Sequence, residues 1–393
     1  MKYVTIRTVI FTTIIFTFLL ASILALSGCT VSEKRADEAD ELRVFKFGVV
    51  GPLTGPGAMF GEHIRSGVDL AVEEINTRGG VLTATGKRLV LKPVYEDSQC
   101  DGAKAATAVR KLIDVDNVQF MIVSCSPEVL AAAPILEEAK VVGFSTIATS
   151  PKVAEAGDYI FRNAPSDRLQ GKVGAKILLD KGYQRVAIFY VNHAYGAGLN
   201  GVVSKAIKAG GSSVVASEMY EPGATDFKTI LIKFKNTNPD VIYVAAFPQE
   251  GAIFIKQMKE LGITVPIIAS EGVKDPVFLE LAGNAFEGLD ITLTVPSGEG
   301  KKFPQFKEAF MKKYRKEPGL YASESYDAVH MLVRALEKSD GVGSSIKDEL
   351  YRLGIFVGAA GTTEFDAFGE ISKPYDLFTI KDGNFVRVGS AEA

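Results

Sequence analysis

From Val44 onward, short runs of β-branched residues alternate with stretches whose apolar residues recur every three or four positions. Few architectures accept that rhythm: a β-run followed by an amphipathic helix, repeated many times, builds a parallel sheet wrapped by helices. Phe45 to Val50 reads as a buried strand. A Gly/Pro loop follows, and Ile64, Val68, Val72 and Ile75 then keep helical spacing until Arg78-Gly79-Gly80 ends the helix. The same criteria predict strands over 89–95, 118–124 and 142–145, with helices over 103–113 and 128–138 between them. A second doubly wound run begins after Arg162-Asn163-Ala164-Pro165-Ser166-Asp167 with a helix over 169–180. Its strands are predicted at 186–191, 213–219, 241–246, 267–270 and 289–295, with a helix after 191 and others over 227–235 and 252–261. Two further helices, 303–314 and 323–338, and short strands near 377–382 and 386–388 complete the pattern.

About 350 of the 393 residues follow Arg43, more than one hydrophobic core usually organises, so two α/β lobes are expected. Lys and Arg number 44 against 47 Asp and Glu. With no basic surplus to grip a phosphate backbone, nucleic acid is not an expected partner.

The first residues carry an address. Lys2 and Arg7 precede an apolar stretch from Val9 to Leu24, and Leu26-Ser27-Gly28-Cys29 closes it. A positive start, an apolar middle and small residues before a cysteine form an export signal, and the pattern resembles the bacterial lipobox. Residues 1–28 would then be removed, and Cys29 would become the lipid-modified N-terminus of a chain held outside the cytoplasm. An uncleaved membrane helix is the alternative, since about 20 apolar residues suffice. Residues 29–43 are polar and charged and are expected to form a solvated leash. In an oxidising compartment the remaining cysteines, Cys100 and Cys125, are expected to pair, contributing about 3 kcal/mol. Two free buried thiols are the other reading. Zinc is disfavoured because His63, His193 and His330 are not spaced for ligation near them, and no metal is expected.

Gly196-Ala-Gly-Leu-Asn-Gly201 is formally a GxGxxG run between a strand and a helix, with Glu218 where a ribose-binding acid could fall. A dinucleotide site turns directly off its strand, whereas Asn192-His193-Ala194-Tyr195 intervenes. A tight loop with helix capping is the simpler reading, and no cofactor is expected. The sequence holds no GxSxG elbow, HExxH helix or GxxxxGK loop, so no catalytic residue is assigned. Ser126-Pro127-Glu128 instead resembles a helix start, with Ser126 at the cap and Pro127 at the first helical position. Such an end attracts an anion. Loops directly after predicted strands, where open α/β sheets bind ligands, are 51–61, 124–128, 145–151, 192–196, 247–251 and 270–274.

The residues of these loops resemble the leucine/isoleucine/valine-binding family of type I periplasmic solute-binding proteins over nearly the whole chain after the leash. The resemblance rests on Gly48-Val-Val-Gly-Pro-Leu-Thr-Gly-Pro56, Ala71-Val-Glu-Glu-Ile-Asn76 with Gly79-Gly80, and Asp97 to Cys100. Ser124-Cys-Ser126, Ser145-Thr-Ile-Ala-Thr-Ser-Pro151, Tyr195-Gly196 and Glu271-Gly272 complete it. It implies two Rossmann-like lobes joined by a three-crossing hinge near 162–168, 293–298 and 368–376, with lobe 1 at 44–165 plus 296–370 and lobe 2 at 166–295 plus 371–393. It also implies a monomeric clamp that hands small solutes to the permease of an ATP-driven importer.

Carried over, the family pattern makes Ser126 a partner of a ligand carboxylate and Thr149 a contact to the ligand backbone, within a set that includes Ile147 and Ala148. The Ile147 carbonyl and the Glu271 carboxylate would receive an ammonium group. Phe60, Tyr195, Phe247 and Tyr321 would flank the ligand side chain. The chemistry is consistent, because a buried zwitterion needs a donor cluster and an acceptor cluster together. Phe247 stands where the family often has tyrosine, which removes one hydroxyl. The expected function is capture of an amino acid, branched-chain aliphatic first, without catalysis. A tethered sensor for an amino acid, amide or aromatic acid is the alternative.

Overall fold

The computed structural model describes residues 43–298 and 300–391; the signal segment, Cys29 and the leash up to residue 42 lie outside the described residues. The chain begins β1 (Arg43–Gly51), α1 (Ala58–Thr77), β2 (Val81–Leu82), β3 (Arg88–Asp97), α2 (Gly102–Asp114), β4 (Phe120–Val123), α3 (Ser126–Ala139), β5 (Val142–Ser145) and β6 (Ile160–Arg162). It continues α4 (Asp167–Asp180), β7 (Arg185–Val191), α5 (Ala194–Ala209), β8 (Ser213–Tyr220), α6 (Lys228–Thr237), β9 (Val241–Ala245), α7 (Pro248–Glu260), β10 (Ile267–Ala269), α8 (Pro276–Ala282) and β11 (Ile291–Pro296). Then come α9 (Phe303–Tyr314), α10 (Ala322–Leu336), α11 (Gly343–Tyr351), β12 (Phe356–Gly358), β13 (Gly361–Thr363), β14 (Tyr375–Lys381) and β15 (Asn384–Ala391).

Strand β12 pairs antiparallel with β13 in a separate two-stranded sheet, and two large sheets result, ordered β2-β3-β1-β4-β5-β6 and β15-β14-β11-β10-β9-β7-β8. Their central strands are parallel; the antiparallel pairs are β2 with β3 at one edge and β11-β14-β15 at the other. Side-chain alternation explains the layering of the first sheet. Val49, Phe120 and Ile122 face the core shared with α1, α10 and α11, while Val50, Met121 and Val123 face the core shared with α2 and α3. Helix α1 packs so tightly on α10 that a Cβ on Gly67 would lie 2.1 Å from the Ala322 carbonyl oxygen. Only glycine permits that approach.

The chain passes between the sheets three times: after β6, after β11 and before β14. The passages are bonded to each other. The Arg162 N–H donates to the Gly369 carbonyl at 2.9 Å, and the Ser297 N–H to the Pro374 carbonyl at 2.9 Å. The Arg162 guanidinium, 1% exposed, pairs with Glu370.

The sequence reading missed helix α11, nine residues whose Ile346 and Leu350 join the core shared with α1 and α10. The other principal elements match it, and the remaining differences lie in short pieces. Strands β2, β6, β12 and β13 hold two or three residues each, too few to display a period of two. Helix α8 is seven residues long and starts because the Asp275 side chain accepts from the Val277 N–H. Helix α4 starts at Asp167, two residues before the predicted start, because Ser166 caps it. Among the described residues no helix is long and apolar enough to cross a membrane.

Candidate functional site

Each sheet has a point where strands diverge to opposite sides of the first-laid strand: between β1 and β4 in one, between β7 and β9 in the other. A crevice forms outside the carboxyl ends of such strands. The two crevices face each other, and Phe60 of α1 crosses the divide to stand 5.7 Å from Phe247 and 6.1 Å from Tyr321, ring centre to ring centre. Between them is a cavity of about 30 Å³, room for a water or two.

One sheet contributes Ser126 from the start of α3 and Ile147 and Thr149 from the loop after β5; the other contributes Tyr195, Phe247 and Glu271, and Tyr321 closes the wall beside Phe60. Of the residues singled out from sequence, Ala148 alone is off the wall. Its methyl joins the α2–α3 core, and its carbonyl accepts from the Arg162 guanidinium at 3.0 Å. Grooves of about 550 Å³ beside Arg78 and His330 and about 600 Å³ beside Leu70 and Lys313 do not draw on the paired strand ends. One of about 300 Å³, by contrast, is lined by loops of both sheets and shares His193 and Phe247 with the cavity, and one of about 700 Å³ runs past the end of β11 and shares Tyr321.

The donor side is built from α3. Cys125, not Ser126, occupies the cap position; its N–H donates to the Glu128 carboxylate at 2.8 Å, and Ser126 is the first helical residue. This shifts the expected cap by one, because Glu128 reaches back to the residue three before it. The Ser126 hydroxyl accepts from the Ser150 N–H at 3.2 Å, tying the helix end to the loop that carries Thr149. Burial pushes the Glu128 carboxyl up to about 7, against the pull of Ser98 and backbone N–H groups. The structure joins Cys125 to Cys100, their Cα atoms 5.4 Å apart, within the range a disulfide spans. Reducing this bridge is expected to lower stability by about 3 kcal/mol. Thiol titration of the denatured, unreduced protein checks the pairing, and two reactive thiols at Cys100 and Cys125 would contradict it.

The acceptor side is Glu271, in a short 3-10 turn after β10. Its Oε1 accepts from the Tyr321 hydroxyl at 3.1 Å, and its Oε2 has no hydrogen-bond partner among the described residues. Burial pushes its carboxyl up, opposed by the nearby Gln170 amide, backbone N–H groups and the Tyr321 hydroxyl. The Tyr195 hydroxyl bonds Ser270 Oγ at 2.6 Å. A buried acid facing a helix start across an aromatic-walled space can hold a cation at one end and an anion at the other.

Sequence reasoning missed three wall residues: Cys125, Gly272 and His193. His193 caps α5, its Nδ1 accepting from the Tyr195 N–H at 3.1 Å. Burial pushes its imidazole down to about 4, so it is neutral at pH 7 with the proton on Nε2. Its signal was position alone, two residues beyond β7. The glycine run that follows answers to packing. A Cβ on Gly196 would sit 2.1 Å from the Val191 carbonyl oxygen, whereas Gly201 faces open space.

Residues 44–384 match the family described as Periplasmic binding protein. A leucine-, isoleucine-, valine-, threonine- and alanine-binding protein of Pseudomonas aeruginosa is 28% identical over 338 residues, 85% of this chain and 88% of that one. Two solved structures superpose with a TM-score of 0.80. One is a branched-chain amino acid transporter substrate-binding protein from Streptococcus pneumoniae in complex with isoleucine, 26% identical and covering 89% of this chain and 100% of its own. The other is a leucine-binding protein from Thermotoga maritima, 28% identical, covering 88% and 99%. With its two doubly wound sheets, its paired crevices and a match that runs through nearly all of the described residues, this chain belongs to the periplasmic binding protein family.

Proposed function

We propose that this protein captures an α-amino acid with an aliphatic side chain, leucine, isoleucine or valine first, and presents it to the permease of an ATP-driven importer. The observation that carries the reading is the two-sided set around one cavity: Ser126 and Thr149 from one sheet, Glu271 from the other, with Phe60, Phe247 and Tyr321 between. In this reading the α3 end and Thr149 receive the carboxylate, and Glu271 with the Ile147 carbonyl receives the ammonium. Phe247 and Phe60 offer apolar surface and no hydrogen bond to the side chain. No residue is asked to do chemistry.

The cavity is too small to admit such a solute while the lobes are shut, so the three passages act as a hinge and the solute enters the open form. Contacts to both lobes then favour closure by differential affinity. The lipid anchor at Cys29, a position outside the cytoplasm and a monomeric state belong to the same proposal.

Thermal unfolding of a soluble form starting after Cys29, refolded to strip carried-over ligand, tests it against common amino acids, small amides and aromatic acids. A ligand at 100 times its Kd is expected to add about 2.7 kcal/mol. Stabilisation confined to aliphatic L-amino acids supports the reading. Stabilisation only by acids lacking an ammonium group overturns the role of Glu271.

A further inference from the structure

A second buried acid stands off the cavity wall, at the start of the helix whose Gln170 reaches toward Glu271. Asp167 opens α4, is fully buried, and donates its backbone N–H to the Thr149 carbonyl at 2.7 Å. Among the described residues neither of its carboxylate oxygens accepts a well-formed hydrogen bond, and Glu271 Oε2 is likewise left over. Burial and then the Glu271 charge push the Asp167 carboxyl well up, against the pull of Thr149 and Arg162. Arg162 is already spent on Glu370 and on the Ala148 and Ser150 carbonyls. The other titratable groups turned toward the pair are phenols, Tyr195 from α5, Tyr243 from β9, Tyr321 before α10 and Tyr375 from β14. Burial pushes every one of them upward, so all are neutral at pH 7. Asp167 and Gln170 lie one turn apart on the buried face of α4, and Gln170 reaches toward Glu271, so two buried carboxylates share one dry corner with no uncommitted cation. Ionising both is costly, and such a pair keeps a proton and titrates as a unit.

We propose that Asp167 is a positioning acid of the ammonium pocket: with Glu271 it holds one proton while the site is empty, and a ligand ammonium docking against Glu271 expels that proton to solvent. This rests on the assignment of Glu271 to the ammonium group. The step balances: the pair passes from one negative charge to two, the ligand supplies one positive charge, and one proton leaves. The sign follows. The empty pair is protonated above the ordinary carboxylate range and the filled pair is not, so affinity rises with pH, by at most tenfold per unit, until the empty pair loses its proton as well. A solute without an ammonium group gains nothing from this exchange.

Calorimetric titration with leucine and with alanine, in buffers of different ionisation enthalpy at neutral pH, counts the protons. The parent is expected to release up to one proton per ligand bound, and Asp167→Asn none. The infrared band of a protonated carboxyl in the ligand-free parent provides a second readout: it is expected to weaken when leucine is added and in the spectrum of Asp167→Asn. Leucine binding with a buffer-independent heat overturns the displacement and leaves the amino-acid reading standing. A band that differs in Asp167→Asn while neither amino acid binds overturns that reading, and the displacement with it. No difference in the band overturns the shared proton itself.

Discussion

Glu271→Ala is expected to weaken leucine binding by roughly 30-fold to several thousand-fold, the equivalent of about 2–5 kcal/mol for removing one partner of a buried charge pair. The loss is large because the ligand's ammonium cannot stay buried uncompensated. What remains is weaker: the Ile147 carbonyl and the Tyr321 and Tyr195 hydroxyls carry no charge, Asp167 is not on the cavity wall, and Arg162 is of the wrong sign. The ligand-free variant is expected to be no less stable than the parent, since Glu271 is 1% exposed and burial already disfavours its charge. Calorimetry for affinity and denaturant unfolding for stability separate the two effects. Parent-like affinity for amino acids in the variant would remove Glu271 from the ammonium site.

Arg162→Ala is expected to cost about 3–5 kcal/mol of stability, the range for stripping one partner from a buried ion pair. The guanidinium fastens three things at once: Glu370 near the third passage, and the Ala148 and Ser150 carbonyls at 3.0 and 2.9 Å in the loop that carries Thr149. Its removal leaves a carboxylate and two carbonyls facing an apolar interior. Arg162→Lys is expected to recover only part of the loss, because a single ammonium cannot reproduce the planar fork. Denaturant unfolding of ligand-free protein checks the order parent, lysine variant, alanine variant. An alanine variant within 1 kcal/mol of the parent would show that the cluster is not a structural anchor.

The loops of the site were legible because they follow strands that were themselves legible, and the family resemblance picked out the residues within them, two to four positions beyond the strand ends. Ser126 follows β4, Thr149 follows β5, Tyr195 follows β7, Phe247 follows β9 and Glu271 follows β10. The strand pattern predicts the sheet, and the sheet predicts where its ends converge. Arg162 and Asp167 escaped for the opposite reason. Both lie in a polar stretch, Arg162 to Asp167, that looks like an exposed connection, and their burial depends on Glu370, Thr149 and Glu271, which are distant in sequence. The α3 start shows the limit at the scale of one residue: Ser126 and Cys125 are both acceptable caps locally, and the reach of Glu128 back to the Cys125 N–H decides between them.

The late return of the chain to its first sheet also sets an order of assembly. Tyr314 donates to the Ser66 carbonyl across 248 positions of sequence, and Tyr326 to Glu74 across 252, so the face of α1 that meets α9 and α10 has no mate until those helices exist. The five strands β7 to β11, by contrast, lie in one uninterrupted stretch. A chain made from its N-terminus can therefore lay down these five strands before α9 and α10 exist, while part of α1 waits and the edge of β11 waits longer still for β14. Contacts of such long range make for slow folding, and the face of α1 around Ser66, Gly67 and Leu70, which packs on α9 and α10, stays without that cover through the interval.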